Sequence, residues 1–438
     1  MSLALPDLHE ARLPNGATVV VARRPGVPLA AARLFVRAGS ALDPRGRLGL
    51  AHLVSAVARR GAGRRSGESI DALVESLGAD LGGDAEEDAT VFGLSAPVDV
   101  LSRLLGVLVD VVASPAFPHA EFERLRRREL ASLAHDSDEP GTLADRAIVS
   151  SAYGDHPYGH AVEGRARDLS RMRRPDALAF HRRWYGPERA TLVVVGPMDP
   201  EVAMEDARPR LERWRNALSE SPAEVPAPAP SARRVVVVNK PDATQTQVRI
   251  ADVAIPRSSP DYFPAVVANA VLGGGFTSRL VEAIRVNRGL SYGVRSRFGM
   301  SRAGGLFTFS SFTKNETAGD LVEVALDEMR RFCEMGPTAE EVNRAASYLG
   351  GLFPLSLETH EQWAERLCDV RILGYGLEQV LEYRERVRAV TAEEVTSVAR
   401  RHLPVDRGVV LAVGPAKGLA PQLERFGPVS VVSAHSVL

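Results

Sequence analysis

An α+β fold of two duplicated domains, each a sheet covered by helices, is predicted by three features of this 438-residue chain. The same order of elements occurs twice at a nearly constant offset. Strands and helices mix irregularly instead of following a β-α-β alternation. A Ser-, Pro- and Ala-rich stretch separates the two copies. The boundaries read as 1–216 for the first domain, 217–231 for the linker and 232–438 for the second.

Each copy opens on a β-rich run, Thr18 to Val21 and Val235 to Val238, followed by a turn at Pro25 and at Pro241. Alternating segments, Val91 to Leu94 and Gly305 to Phe309, read as further strands. Helical periodicity marks Ser69 to Leu77, Val98 to Val112, Glu121 to Ala134, Ala318 to Met335 and Ala339 to Leu352. Each copy closes with a helix, Phe180 to Arg183 and Val398 to Arg401, leading into a strand and a Gly-Pro pair at Gly196-Pro197 and Gly414-Pro415. The offset is 216 residues at the prolines and 218 at the Gly-Pro pairs, the signature of a duplication. Between the copies, Val225-Pro226-Ala227-Pro228-Ala229-Pro230 favours an extended, semi-rigid connector.

A hydrophobic content of 45% is ample for buried cores, and a net charge of −1 supplies no bulk field to recruit nucleic acid or an anionic membrane. Arg64-Arg65 and Arg124 to Arg128 read as solvated basic runs. Only Cys333 and Cys368 are present, too few for a disulfide framework, so a reducing compartment is expected. The N-terminus shows no signal peptide, and no apolar run is long enough to span a membrane, so the expected location is cytoplasmic.

The most informative segment is Gly49-Leu50-Ala51-His52-Leu53-Val54-Ser55-Ala56. An inverted zinc peptidase carries His-x-x-Glu-His here, two imidazoles one turn apart with a glutamate to polarise the bound water. Only His52 is retained; Ser55 stands at the base position and Ala56 at the second ligand position. With Leu13-Pro14-Asn15-Gly16, Val36 to Ser40, Arg65-Ser66, Gly154 to His160 with Gly164, Gly273 to Leu280 and Arg285 to Val294, the chain resembles the pitrilysin family over nearly its whole length. The likeness is to its short-chain branch, which includes the mitochondrial processing peptidase subunits.

That resemblance implies two similar domains, each a mainly antiparallel sheet covered by helices, and a chamber closed between two such units. The family's third zinc ligand, a later glutamate, maps to Ala131-Ser132, so Ser132 marks a third lost position. Glu129 precedes it by three residues, about 4.5 Å along a helix, and is read as too distant to replace it. No metal is expected in this chain. His156 and His160 share i, i+4 spacing, but Pro157 and Gly159 argue for a turn.

The resemblance also implies that an arginine and a tyrosine seven residues on reach from the last domain of one unit into the zinc site of its partner. Arg285 and Tyr292 match that pattern. Three readings follow. One is a non-catalytic subunit of a heterodimeric zinc peptidase, supplying half of a peptide-binding chamber while a homologous partner holds the zinc. Another is a scaffold homologue without a role in proteolysis. The third, an independent hydrolase, is unsupported, since no Gly-x-Ser-x-Gly elbow is expected and neither cysteine lies in a nucleophile motif.

Overall fold

The valine-rich runs become strands buried along nearly their full length, a pattern of sheets covered on both faces. The computed structural model describes residues 6–216 and 224–437. In the first half the strands are β1 (Asp7–Arg12), β2 (Thr18–Arg23), β3 (Leu29–Val36), β4 (Asp80–Ala85), β5 (Thr90–Pro97) and β6 (Ala190–Gly196). In the second they are β7 (Arg234–Asn239), β8 (Gln245–Ala254), β9 (Val294–Met300), β10 (Gly305–Lys314), β11 (Val409–Gly414) and β12 (Val429–Ser433).

The first sheet has the order β1-β2-β6-β3-β5-β4, and the second, taken in the matching direction, β12-β7-β11-β8-β10-β9. Five positions correspond strand for strand, including the one parallel pair shared by both, β2 with β6 and β7 with β11. The sixth position is filled before the repeat in one sheet, by β1, and after it in the other, by β12. Most pairings are antiparallel, as expected. The edges β4 and β9 occupy equivalent places.

The helices used below are α1 (Leu50–Ala58), α2 (Gly67–Ser76), α3 (Val98–Ala113), α4 (His119–Asp136), α5 (Pro140–Tyr153), α6 (Arg174–Trp184) and α7 (Pro200–Glu212). The second half adds α8 (Tyr262–Leu272), α9 (Ala318–Met335), α10 (Ala339–Leu352), α11 (His360–Leu373) and α12 (Ala392–His402). Helices α3 and α7 cover one face of the first sheet. The corresponding face of the second rests on α8, α9, α10 and α12 around Phe307, Phe309, Met329 and Phe332.

The remaining faces are covered by an exchange. Leu143, Ala144, Ala147 and Ile148 of α5, from the first half, pack on Val236, Ala251, Val409 and Leu411 of the second sheet. Trp363, Leu367, Cys368 and Ile372 of α11, from the second half, are buried in a helix that lies on β3 and β6 of the first sheet. The two compact units therefore are not contiguous: one comprises Met1–Ala131, Val162–Glu224 and Pro354–Leu377, the other Ser132–Ala161, Val225–Phe353 and Glu378–Leu438. A contiguous division at 1–216 and 232–438 differs from this by one helical segment each way. Of the linker, 217–223 lie outside the described residues, and 224–231 carry neither helix nor strand. No described helix is long and apolar enough to cross a membrane.

Gly49 and Gly164 fix where α1 begins. Both adopt positive φ, +97° and +79°, and their backbones touch so closely that a Cβ on Gly49 would lie 2.5 Å from the Glu163 carbonyl oxygen. Gly46 also has positive φ, but with open space around it. Gly49→Ala is expected to lower stability by about 2–4 kcal/mol through backbone strain plus overlap, and Gly46→Ala by only about 1 kcal/mol. Urea unfolding of the two variants checks this, and equal losses would show that the close approach relaxes without cost.

Candidate functional site

The segment that carries His52 is anchored before the helix starts. The Asp43 carboxylate accepts hydrogen bonds from the backbone N–H groups of Gly49 and Ala51, at 2.6 and 2.8 Å, satisfying donors that the first turn leaves unpaired. His52 is the third residue of α1, which packs against the edge strand β4.

His52 is held between two carboxylates. Its Nδ1 lies 3.2 Å from Asp84 Oδ1 on β4, and its Nε2 3.4 Å from Glu129 Oε2 on α4. Both ring nitrogens thus face acceptors, an arrangement that only the doubly protonated imidazolium satisfies on both sides. Burial works to lower the His52 pKa, but the hydrogen bonds to Asp84 and Glu129 outweigh it and raise the value to about 9. The His52 hydrogen bond, against burial and with help from Arg128, draws Glu129 down to about 2. Asp84 is lowered chiefly by His52 as well. Arg128 closes the cluster with two donors to Glu129 Oε1, at 3.1 and 2.8 Å.

Glu129 is therefore not too distant to matter. One turn before Ser132, its side chain reaches the imidazole as a hydrogen-bond acceptor. The other positions named with His52 carry neither imidazole nor carboxylate. Ser55 is 1% exposed and its hydroxyl donates to the His52 carbonyl at 2.7 Å, Ala56 offers no donor atom, and Ala131 and Ser132 are exposed. These residues do not fit zinc. Asp84 and Glu129 sit on opposite edges of one ring and so do not converge with a ring nitrogen, and a ligating imidazole has to be neutral. Among the described residues no group of three or more His, Cys, Asp or Glu is arranged to hold a metal.

In the other unit, Arg285 lies in a π-helical stretch, Glu282–Asn287, a rare geometry often found at functional sites. It is exposed and has no hydrogen-bond or ion-pair partner among the described residues; Glu282 does not engage it. Tyr292 is 72% exposed in the loop before β9. Its ring stands edge-on to Phe312 at 4.9 Å, an approach that depends on Gly293, whose Cβ would meet Phe312 at 2.4 Å. The loop is tied down by Leu290 N–H donating to the Ile284 carbonyl at 3.0 Å and by Thr313 Oγ1 donating to the Leu290 carbonyl at 2.7 Å.

Gly289-Leu290-Ser291-Tyr292-Gly293 does match the Gly-x-Ser-x-Gly spacing. It is not a nucleophile elbow, because a helix precedes it and a strand follows, the reverse of the required context. Ser291 is 7% exposed and exchanges hydrogen bonds with Gly293. The histidine pair at 156 and 160 lies in a turn, as expected. His156 accepts from the Tyr158 N–H at Nδ1 and donates from Nε2 to the Pro226 carbonyl at 2.7 Å, so both nitrogens are engaged.

Two family models match the chain: "Insulinase (Peptidase family M16)" over residues 18–165 and "Peptidase M16 inactive domain" over residues 171–349. A curated relative, an "Uncharacterized zinc protease" of Mycobacterium tuberculosis, is 28% identical over 408 residues, 92% of each chain. A crystal structure described as a peptidase M16 inactive domain from Pseudomonas fluorescens superposes with a TM-score of 0.87 at 28% identity, covering 93% of this chain and 98% of that one. A protease from Helicobacter pylori gives the same TM-score at 19% identity over 94% and 100%, which speaks to fold alone.

The His52 cluster makes stability depend on pH in a defined direction. The folded pKa of about 9 lies above the ordinary 6.5, so the contribution of His52 is complete below pH 6.5 and is lost as pH rises through 9. The folded value of Glu129, about 2, lies below the ordinary 4.5, so its contribution is present above pH 4.5 and is lost as pH falls towards 2. The cluster therefore stabilises most between those two ordinary values. Between pH 6.5 and 9 the urea midpoint of the wild type should fall more steeply than that of His52→Gln. Parallel slopes would mean that the imidazole is uncharged in the folded protein.

Proposed function

The chain belongs to the M16 peptidase family, and we propose that within it this protein is a non-catalytic subunit of a heterodimeric zinc peptidase. It would supply half of a peptide-binding chamber, with Arg285 and Tyr292, to a homologous partner that holds the zinc. One contrast carries this reading. The residues around His52 are consumed by one another, whereas Arg285, on the π-helical stretch, has no hydrogen-bond or ion-pair partner among the described residues and Tyr292, on the loop that follows, is exposed with only its ring packed on Phe312.

The chemistry suits such a pair. When water adds to a scissile carbonyl its oxygen becomes an anion, and a phenol hydroxyl aimed at that oxygen favours the transition state over the ground state. A guanidinium fork can hold a peptide carbonyl at the same time. The edges β4 and β9 offer unpaired backbone groups to which an extended peptide can add as a further strand. Tyr292 lies two residues before β9.

The isolated protein is expected to bind well below one zinc per chain by elemental analysis and to leave peptides intact. Stoichiometric zinc that disappears in His52→Ala would overturn this. Co-expressed with an M16 relative that carries His-x-x-Glu-His, the chain should co-elute as an active complex. In that complex Tyr292→Phe should reduce kcat about 10²–10³-fold with little change in KM, and Arg285→Ala should affect both. Zinc content and assembly should not change. Full activity of the partner alone, without co-purification, would favour a scaffold without a role in proteolysis.

A further inference from the structure

Guanidinium groups also gather in the unit that contains the first sheet, among residues other than those around His52. A cavity of about 210 Å³ opens between α3 and α7, with Arg65, Arg103, Arg210 and Arg213 in its walls. At roughly 30 Å³ per water, it has room for a small multivalent anion with its hydration, but not for a drug-sized ligand.

The backbone of the walls is tied down. Arg65 stands on a two-residue hairpin tied to the end of α3 by the Gly63 N–H donating to the Ser114 carbonyl at 3.0 Å. Arg210 lies across α3 at Gly106, where an added Cβ would come 3.4 Å from its Nε. The end of α7 is held by Asn15, which donates to the Leu211 and Trp214 carbonyls at 2.8 and 3.3 Å.

The charge around the cavity is not balanced from within. Asp206 takes up Arg210, and Asp110, the one carboxylate in the wall, pairs with Arg65 at 3.5 Å, which leaves two arginines over. Arg103 and Arg213 have no ion-pair or hydrogen-bond partner among the described residues. Arginines near a helix C-terminus often do no more than complement its dipole, and Arg213, the C-cap of α7, fits that description. Arg103 does not: it lies in the second turn of α3, ten residues before the last, about 15 Å from that end. Trp214 completes the wall, and its buried indole N–H lacks an acceptor.

We propose that this cavity binds a small multivalent oxyanion, a phosphate or an oligocarboxylate, gripped by the guanidinium forks of Arg65, Arg103 and Arg213. Planar arginine forks match the oxygen spacing of both groups. The site needs no partner subunit, and it stands or falls separately from the peptidase reading.

Calorimetric titration of the purified chain with pyrophosphate and with citrate, each against sodium chloride of equal ionic strength, provides the test. Saturable binding of either anion with a Kd below about 1 mM is expected, and the preferred anion identifies the class. The Arg103→Gln/Arg213→Gln double variant, altered only at exposed side chains, should weaken it at least about tenfold. Arg65→Gln should weaken it independently. A response matched by chloride, or saturable binding unchanged in both variants, would overturn the proposal.

Discussion

Each sheet in this molecule has to be covered twice, because its central strands are apolar on both sides. A strand such as Val409–Gly414, buried at every residue, cannot turn an alternate face to water. One set of helices therefore never suffices, and each half of the chain obtains its second cover from the other half. Burying a leucine or isoleucine in such a contact contributes about 1.5–3 kcal/mol, so Leu143 and Ile148 in α5 and Leu367 and Ile372 in α11 hold the exchanged helices firmly. The duplication supplies equivalent helices, and the two-sided sheets require that both be used.

The degenerate metal position follows a similar logic of compensation. A carboxylate such as Glu129, 8% exposed, is costly to bury without a cation nearby. Here the His52 imidazolium and the Arg128 guanidinium meet that need, each pairing with one of the Glu129 oxygens. The exposed Arg285 guanidinium and Tyr292 hydroxyl form the opposite case, polar groups without a hydrogen-bond partner among the described residues.

Much of this was legible in the sequence. The valine runs, the repeat offset and the Gly-Pro ends located the central strands, and helices Ala318–Met335 and Ala339–Leu352 fall where periodicity placed them. The exchanged helices were not marked. The buried stripe of α5 is mostly alanine and small residues among Asp145, Arg146 and two serines, a weak periodic signal. Periodicity in any case shows that a helix has an apolar face, not which sheet that face meets. Asp84 had no motif to announce it, since it joins His52 only through the pairing of an edge strand. That Glu129 meets His52 as a hydrogen-bond acceptor is likewise unmarked, since helix rise measures backbone and ignores the reach of a side chain. The π-turn at Glu282–Asn287 depends on hydrogen-bond register that residue identities do not encode.

The exchange of α5 and α11 also sets an order of events during synthesis. The last strand of the first sheet is complete at Gly196, but the helix that shields its second face ends only at Leu373. At translation rates of about 5–20 residues per second, the nascent chain carries an open apolar sheet face for roughly 10–35 s. During that interval α5 has already emerged without its own sheet, which begins at Arg234. The one helix equivalent to the missing cover is thus present early, and a temporary pairing of α5 with the first sheet would have to be undone before the native arrangement forms. A duplicated fold that trades helices between its copies therefore carries a kinetic liability that two contiguous copies would not. It gives this chain a specific reason to depend on chaperones while it is being made.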